Sequence, residues 1–142
     1  MLLTVEAGEL SQVIAHATAP AFVLGAVASF VAVLLNRMTI LIERIRSLNE
    51  IADDDARSHL KSDIPRLRRR VKLLNNATFL ALLSALCTAS LVIVAFASAL
   101  FRLEQAYGAA LLFALALILL SGSIVRFGQE VKMGLSEADH YR

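Results

Sequence analysis

The sequence predicts an all-α integral membrane protein of three transmembrane helices, with the first two prolonged into a cytoplasmic helical hairpin. Three observations carry that prediction. The 142 residues are 58% hydrophobic and only 18% charged, against roughly 45–50% and about 25% in soluble domains. The charges are nearly absent from three long blocks and crowded between them, as a bilayer demands when a charge at its centre costs at least ~2.5–3.5 kcal/mol. Each block is also close to the ~20 residues that cross ~30 Å of hydrocarbon as a helix. The length suits one domain spanning 1–142.

The first span covers about Ala17 to Leu35, without a charge. Pro20 fits its first turn, where a missing N–H does little harm. Beyond it, Met38, Leu41, Ile45 and Leu48 alternate with Arg37, Glu43, Arg44 and Arg46, the pattern of an amphipathic helix leaving the membrane. The second span covers about Ala77 to Phe101, long enough to cross with some tilt. Its lead-in starts at Ser62 or Asp63 as N-cap, with Pro65 in the first turn, and repeats Ile64, Leu67, Val71 and Leu74 between basic residues. The third span covers about Ala106 to Val125, entered through a tight turn from Arg102 to Gln105. A polar tail occupies 126–142, where Arg126 and Glu130 at i, i+4 suit one or two further turns. The first 15 residues carry several apolar side chains and few charges, which suggests a short helix on the outer interface. They lack the basic start of a secretory signal, so the first block is expected to be retained.

Charge distribution sets the orientation. Segment 36–76 holds ten of the fourteen Lys and Arg residues, and the tail holds Arg126, Lys132 and Arg142. The turn before the third span has only Arg102, and the residues before Ala17 have none. Three spans put the hairpin and the tail on one side, and the positive-inside rule makes that side the cytoplasm, with the N-terminus outside.

Small residues recur where helix backbones could approach. Ala17, Ala21, Gly25 and Ser29 stand at four-residue spacing in the first span, and Ala77, Ala81, Ala85 and Ala89 in the second, beside Ser84 and Thr88. The third offers Gly108, Ala110, Ala114 and the run Ser121–Gly122–Ser123. In lipid, close packing of such rows drives association. They serve either the three helices of one chain or a homo-oligomer, and three helices can scarcely use so many faces. At the cytoplasmic edge, Asn36 ends the first span and Asn75–Asn76 begins the second, at similar depth in a hairpin, where amide hydrogen bonds between them are expected. Arg37, Arg69, Arg70, Arg126 and Glu130 fall near the same level. They suit an ion network, a ring of Arg37 side chains at a pore mouth, or arginines snorkelling to lipid phosphates.

Several of these features occur together in a known family. The Pro20-led span, Asn36–Arg37, the run Arg68–Arg69–Arg70 before Leu74–Asn75–Asn76, the core Ser84–Ala85–Leu86, and Arg126-x-x-x-Glu130–Val131 together resemble the bacterial DUF2721 family. The resemblance covers roughly Pro20 to Met133 and rests on order and spacing. It implies the membrane topology and a bacterial origin, so the expected location is a bacterial inner membrane; the family has no assigned activity and lends no catalytic residues. The acidic tip Asp53–Asp55 lies outside the resembling blocks.

Catalytic chemistry finds little support. His16, His59 and His140 are scattered, and no cysteine–histidine group has metal-ligand spacing. Three consecutive carboxylates at Asp53–Asp55 lack the alternation of a calcium loop. Ser58-His59-Leu60-Lys61 fits S-x-x-K, but a polar hairpin tip is a poor place for an oxyanion hole. Cys87 is the only cysteine, expected to be a buried inert thiol. No charge lies deep in a span, which argues against proton-coupled transport. The expected protein is therefore non-enzymatic, without cofactor or metal. Its basic hairpin faces anionic lipid headgroups rather than nucleic acid. It either assembles with itself, as an ion-conducting pore in one version, or serves as an accessory or scaffold subunit of a larger membrane complex.

Overall fold

Apolar residues recurring every seventh position determine how the helices pack. The computed structural model describes the backbone of residues 2–102 and 106–140, and side chains for most of these. Helix α1 runs Leu2–Asn49, a 3₁₀ helix covers Ser58–Asp63, α2 runs Ile64–Phe101 and α3 runs Ala106–His140. There is no strand among the described residues. All three α-helices are long and apolar enough to cross a membrane. At 1.5 Å per residue the 48 residues of α1 extend for about 72 Å, more than twice the hydrocarbon thickness.

In α1 the buried positions are Pro20, Val27, Leu34, Leu41 and Leu48, one every seven residues. In α2 two such rows interleave: Leu67, Leu74, Ala81 and Thr88, and Ala77, Ser84 and Leu91. In α3 the buried positions are Ala116, Ser123 and Glu130. A seven-residue repeat keeps one seam facing a partner only when helices wind gently left-handed around each other. Helix α2 is central and packs against both neighbours. Its Leu67 and Leu74 meet Leu34, Leu41 and Leu48 of α1 in the main hydrophobic cluster. Its other row faces α3: Ser84 donates to the carbonyl of Ala116 at 2.7 Å, and Ser123 of α3 donates to that of Ala77 at 2.5 Å.

Some boundaries differ from the sequence expectation. No separate helix precedes the first apolar block; α1 continues through it, and Pro20 sits well inside rather than in the first turn. Proline there removes one bond to the turn before it, while residues 9–15 contain no glycine or proline to stop the helix. Of the apolar side chains that suggest an interfacial helix, Leu10 and Ile14 are exposed, and those of Leu2, Leu3, Val5 and Val13 lie outside the described ones, as does the turn at 103–105. Helix α3 continues far past the one or two turns expected beyond Val125, because its C-terminal half is held by ion pairs to α2. Asp63 does occupy the N-cap of α2, with Pro65 in the first turn, but makes no side-chain cap bond. The Ser62 hydroxyl donates to the His59 carbonyl instead.

At the hairpin tip the acidic run is tied locally. Asp53 pairs with Lys61 at 2.9 Å and Asp55 with Arg57 at 3.1 Å, the Asp55 carboxylate also accepting the Arg57 backbone N–H. The hydrogen bond from Lys61 holds the Asp53 carboxyl below its ordinary value, and that from Arg57 does the same for Asp55. The described residues contain no group of three or more His, Cys, Asp or Glu side chains able to hold a metal. At the far end, Arg102 closes α2 in the left-handed conformation (φ 53°), its N–H bonded to the Ser98 carbonyl.

Candidate functional site

The most developed polar arrangement lies where the hairpin leaves the apolar blocks, and all three helices contribute to it. Arg37 comes from α1, one turn after Leu34; Arg70 comes from the α2 row that faces α3; Glu130 and Glu137 come from α3, seven residues apart. The spacing turns each side chain toward a seam, so that the two arginines converge on α3 from different helices.

Glu130 is wholly buried. Its carboxylate accepts four hydrogen bonds from two guanidiniums: Arg37 Nε and Nη2 at 3.0 and 3.3 Å, and Arg70 Nε and Nη2 at 3.0 and 2.7 Å. Such forked pairing satisfies a buried carboxylate better than a single contact can. Arg70 continues the chain, donating from Nη1 to Glu137 Oε2 at 3.0 Å. Arg66 Nε stands 3.9 Å from the other Glu137 oxygen, which is buried without a hydrogen-bond partner among the described residues. Two aromatic rings brace the α1 side. Arg37 lies over the Phe127 ring at 5.5 Å, and Phe127 meets Phe30 edge to face, geometries that each contribute on the order of 0.5–1 kcal/mol.

Gly134 is part of the same arrangement. It sits on α3 between the two glutamates, and a Cβ there would lie 2.8 Å from Arg70 Nη2. The guanidinium reaches both carboxylates by passing over this bare stretch of helix. Alongside the network, α2 and α3 enclose a cleft of about 660 Å³. Arg66, Arg69, Arg126 and Lys132 bring four cations to it, over a floor that includes Leu73 and Met133. Gln129 and Ser136 add polar groups, and Glu137 is the one carboxylate.

Of the residues expected at this level, the structure brings Arg37, Arg70 and Glu130 together and sends Arg69 and Arg126 to the cleft. Arg126 does not pair with Glu130, whose oxygens are taken by the other two arginines. Asn36 and Asn75 are exposed and Asn76 half-buried, and no amide bond joins them; they fall between the seven-residue rows rather than on them.

The small-residue rows divide sharply. On α2, Ala77, Ala81, Ser84 and Thr88 are buried inside the chain, whereas Ala85 and Ala89 are only half-buried. On α1, Ala17 is half-buried and Ala21, Gly25 and Ser29 are exposed; a Cβ built on Gly25 meets nothing within 4 Å. On α3, Gly108, Ala110, Ala114 and Ser121 are exposed, while Gly122 touches Leu80 and Ser123 is buried. Cys87 is half-buried.

Glu137, Gly134, Phe127 and Arg66 went unread in the sequence. A usable signal was present: Ala116, Ser123, Glu130 and Glu137 continue one seven-residue series, and a series that carries small residues into carboxylates implies a cationic partner on the facing helix.

No curated protein and no solved structure matches the chain. A family model described as protein of unknown function (DUF2721) matches residues 17–139, which takes in α1 from its small-residue row onward, the whole ion network and the basic cleft. The chain belongs to the DUF2721 family.

Proposed function

We propose that this protein is a non-enzymatic, multi-pass membrane protein that assembles with copies of itself through the outward face of α1. Its N-terminus lies outside and its hairpin and C-terminus in the cytoplasm of a bacterial inner membrane. The observation that carries self-assembly is the α1 row. Gly25 stands about 160° around the helix from Val27, the residue buried against α2, at 100° per residue. Ala21 and Ser29 share its outward side and are exposed with it. The Ser29 hydroxyl is satisfied by the Gly25 carbonyl at 3.1 Å, so the face presents no unmet polar group to lipid. A row of this kind is self-complementary: two parallel copies related by a twofold axis set the same residues against each other.

The thirteen basic residues in the hairpin and α3 tail support the orientation. The large apolar side chains left exposed, including Phe22, Phe79, Leu86, Ile93, Leu111 and Ile118, lie within the uncharged blocks and suit contact with lipid tails. An Arg37 ring is not what supports assembly, because Arg37 is engaged by Glu130 within one chain.

The test is the particle mass in a mild detergent. The wild type is expected at a multiple of the 15.4 kDa chain, and Gly25→Ile is expected to reduce it to one chain without lowering the melting temperature, since a side chain there meets nothing internal. A wild-type particle of one chain would refute the proposal. A foreign membrane protein recovered with the wild type and lost in Gly25→Ile would replace it with the accessory-subunit function.

A further inference from the structure

We infer that the cleft between α2 and α3 is a binding site for the headgroup of an anionic phospholipid. The inference uses the membrane placement proposed above but not the self-assembly, since it concerns a different face of the molecule.

Charge is the first argument. Four cations line the cleft, and its one carboxylate, Glu137, is already bonded to Arg70. The cleft therefore keeps an excess of positive charge that the chain does not neutralise internally. Phosphate is the anion that three guanidiniums and an ammonium suit best, through forked hydrogen bonds from arginine and a point charge from lysine.

Depth is the second argument. Arg126 is the residue immediately after the uncharged block that ends at Val125, and Leu73 lies one turn before the block that begins at Ala77. The end of the cleft at Leu73 and Arg126 thus sits level with lipid phosphates, while its far end at Arg66 and Glu137 extends toward the hairpin. Its lining changes character accordingly, with Leu73 and Met133 among the cations. Toward the membrane, the α2–α3 surface is apolar, with Leu80 3.6 Å from a Cβ built on Gly122. A lipid whose phosphate meets Arg69, Arg126 and Lys132 can lay an acyl chain along that surface. Basic recesses between helices at the cytoplasmic side hold headgroups for these reasons.

Gln129 and Ser136 add polar groups to the cation lining. A headgroup bearing hydroxyls beside its phosphate suits both, so phosphatidylglycerol is the probe of choice.

The experiment is native mass spectrometry of the full chain in detergent, titrated with phosphatidylglycerol, phosphatidylcholine and glycerol 3-phosphate. The wild type is expected to retain phosphatidylglycerol at least tenfold better than phosphatidylcholine, and glycerol 3-phosphate is expected not to displace it. Replacing two cleft cations, Arg69→Gln with Arg126→Gln, is expected to weaken retention about thirtyfold, at the usual contribution of each basic residue near a headgroup. Arg46→Gln with Arg68→Gln removes the same charge from exposed positions outside the cleft and is expected to leave retention within threefold. Equal loss in the two double variants, or no headgroup preference, would overturn the site; displacement by glycerol 3-phosphate would reassign it to a soluble phosphate ester. Gly25→Ile is expected to retain lipid as the wild type does, so a failed assembly test and a failed lipid test remain separable.

Discussion

Glu130 is the residue whose loss the structure predicts most sharply, and its cost can be worked from its partners. Replacing it by glutamine keeps the shape and removes the charge that two guanidiniums share. Breaking a buried ion pair costs about 3–5 kcal/mol when the remaining charge has no other partner. The two arginines do not meet that condition equally. The Arg37 side chain is 36% exposed and that of Arg70 only 12%. Arg37 can rehydrate, so its share is that of a surface pair, about 1 kcal/mol or less. Arg70 is buried but keeps Glu137 at 3.0 Å, which offsets part of its loss. Glu130→Gln is therefore expected to destabilise by about 2–4 kcal/mol.

The same reasoning ranks the partners. Arg37→Gln leaves Glu130 bonded to Arg70 and costs about 1 kcal/mol. Arg70→Gln strips the buried carboxylate of its better partner, leaves Glu137 with Arg66 at 3.9 Å, and costs about 3 kcal/mol. Combining Arg70→Gln with Glu130→Gln should cost clearly less than the sum, because both remove one interaction. Reversible unfolding in mixed micelles, followed by far-ultraviolet circular dichroism, measures all four variants. A Glu130→Gln protein within about 0.5 kcal/mol of wild type, or an Arg37→Gln cost exceeding that of Arg70→Gln, would refute the burial argument.

Two glycines of α3 should respond oppositely to alanine. Gly128 has nothing within 4 Å of a built Cβ, so Gly128→Ala should stabilise by about 0.5–1 kcal/mol, whereas Gly134→Ala displaces the Arg70 guanidinium and should destabilise by about 1–2 kcal/mol; the same unfolding assay reads both. At the hairpin tip the Asp53 pKa is lowered by Lys61. A depressed carboxylate pKa contributes stability above the unfolded value and loses it as pH falls through the folded one, so the tip should loosen only below the ordinary 3.8. Lys61→Met should move the Asp53 midpoint, followed by side-chain carboxyl NMR, up toward that value. Removing the hydroxyl in Ser84→Ala, which donates to the Ala116 carbonyl, should cost about 0.6 kcal/mol, the mean for a hydrogen bond between helices in lipid.

The three helices were legible because a charge-free block of about twenty residues admits few alternatives. The ion network was legible only in part. Arg37, Arg70 and Glu130 could be placed at one depth by counting residues from the ends of the blocks, but depth alone does not say which side of a helix a residue occupies. That needs the seven-residue rows, and four-residue spacing among small side chains drew attention away from them. On α2 the rows overlap, since Ala77 and Ala81 belong to both patterns while Ala85 and Ala89 belong only to the four-residue one and are left half-buried. The extent of α3 was hidden for a related reason. Beyond Val125 its composition is that of a polar tail, and it is packed helix because Glu130 and Glu137 find arginines on another helix, which no local pattern reveals.

The two kinds of core then follow from the two solvents the proposed placement implies. From Leu34 to Leu74 the seam is leucine on leucine, with Ile45, Ile64 and Val71 packed against it. That stretch belongs mostly to the hairpin, where water surrounds the helices and apolar burial contributes about 25 cal/mol per Å². From Ala77 onward the buried residues of α2 are alanine, serine and threonine apart from Leu91, and those within the α3 block are Ala116 and Ser123. Lipid tails are as apolar as leucine, so large side chains gain nothing by turning inward there, and close backbone contact with cross-helix hydroxyls holds the helices instead. Helix α1 is the exception that points outward. Within its uncharged block the residues turned to α2 are Pro20, Val27 and Leu34, none of them small, while Ala21 and Gly25 face away. If small residues mark where helices meet in lipid, α1 has its second contact outside the chain, and the hairpin core is what keeps α1 fixed against α2 while that contact forms.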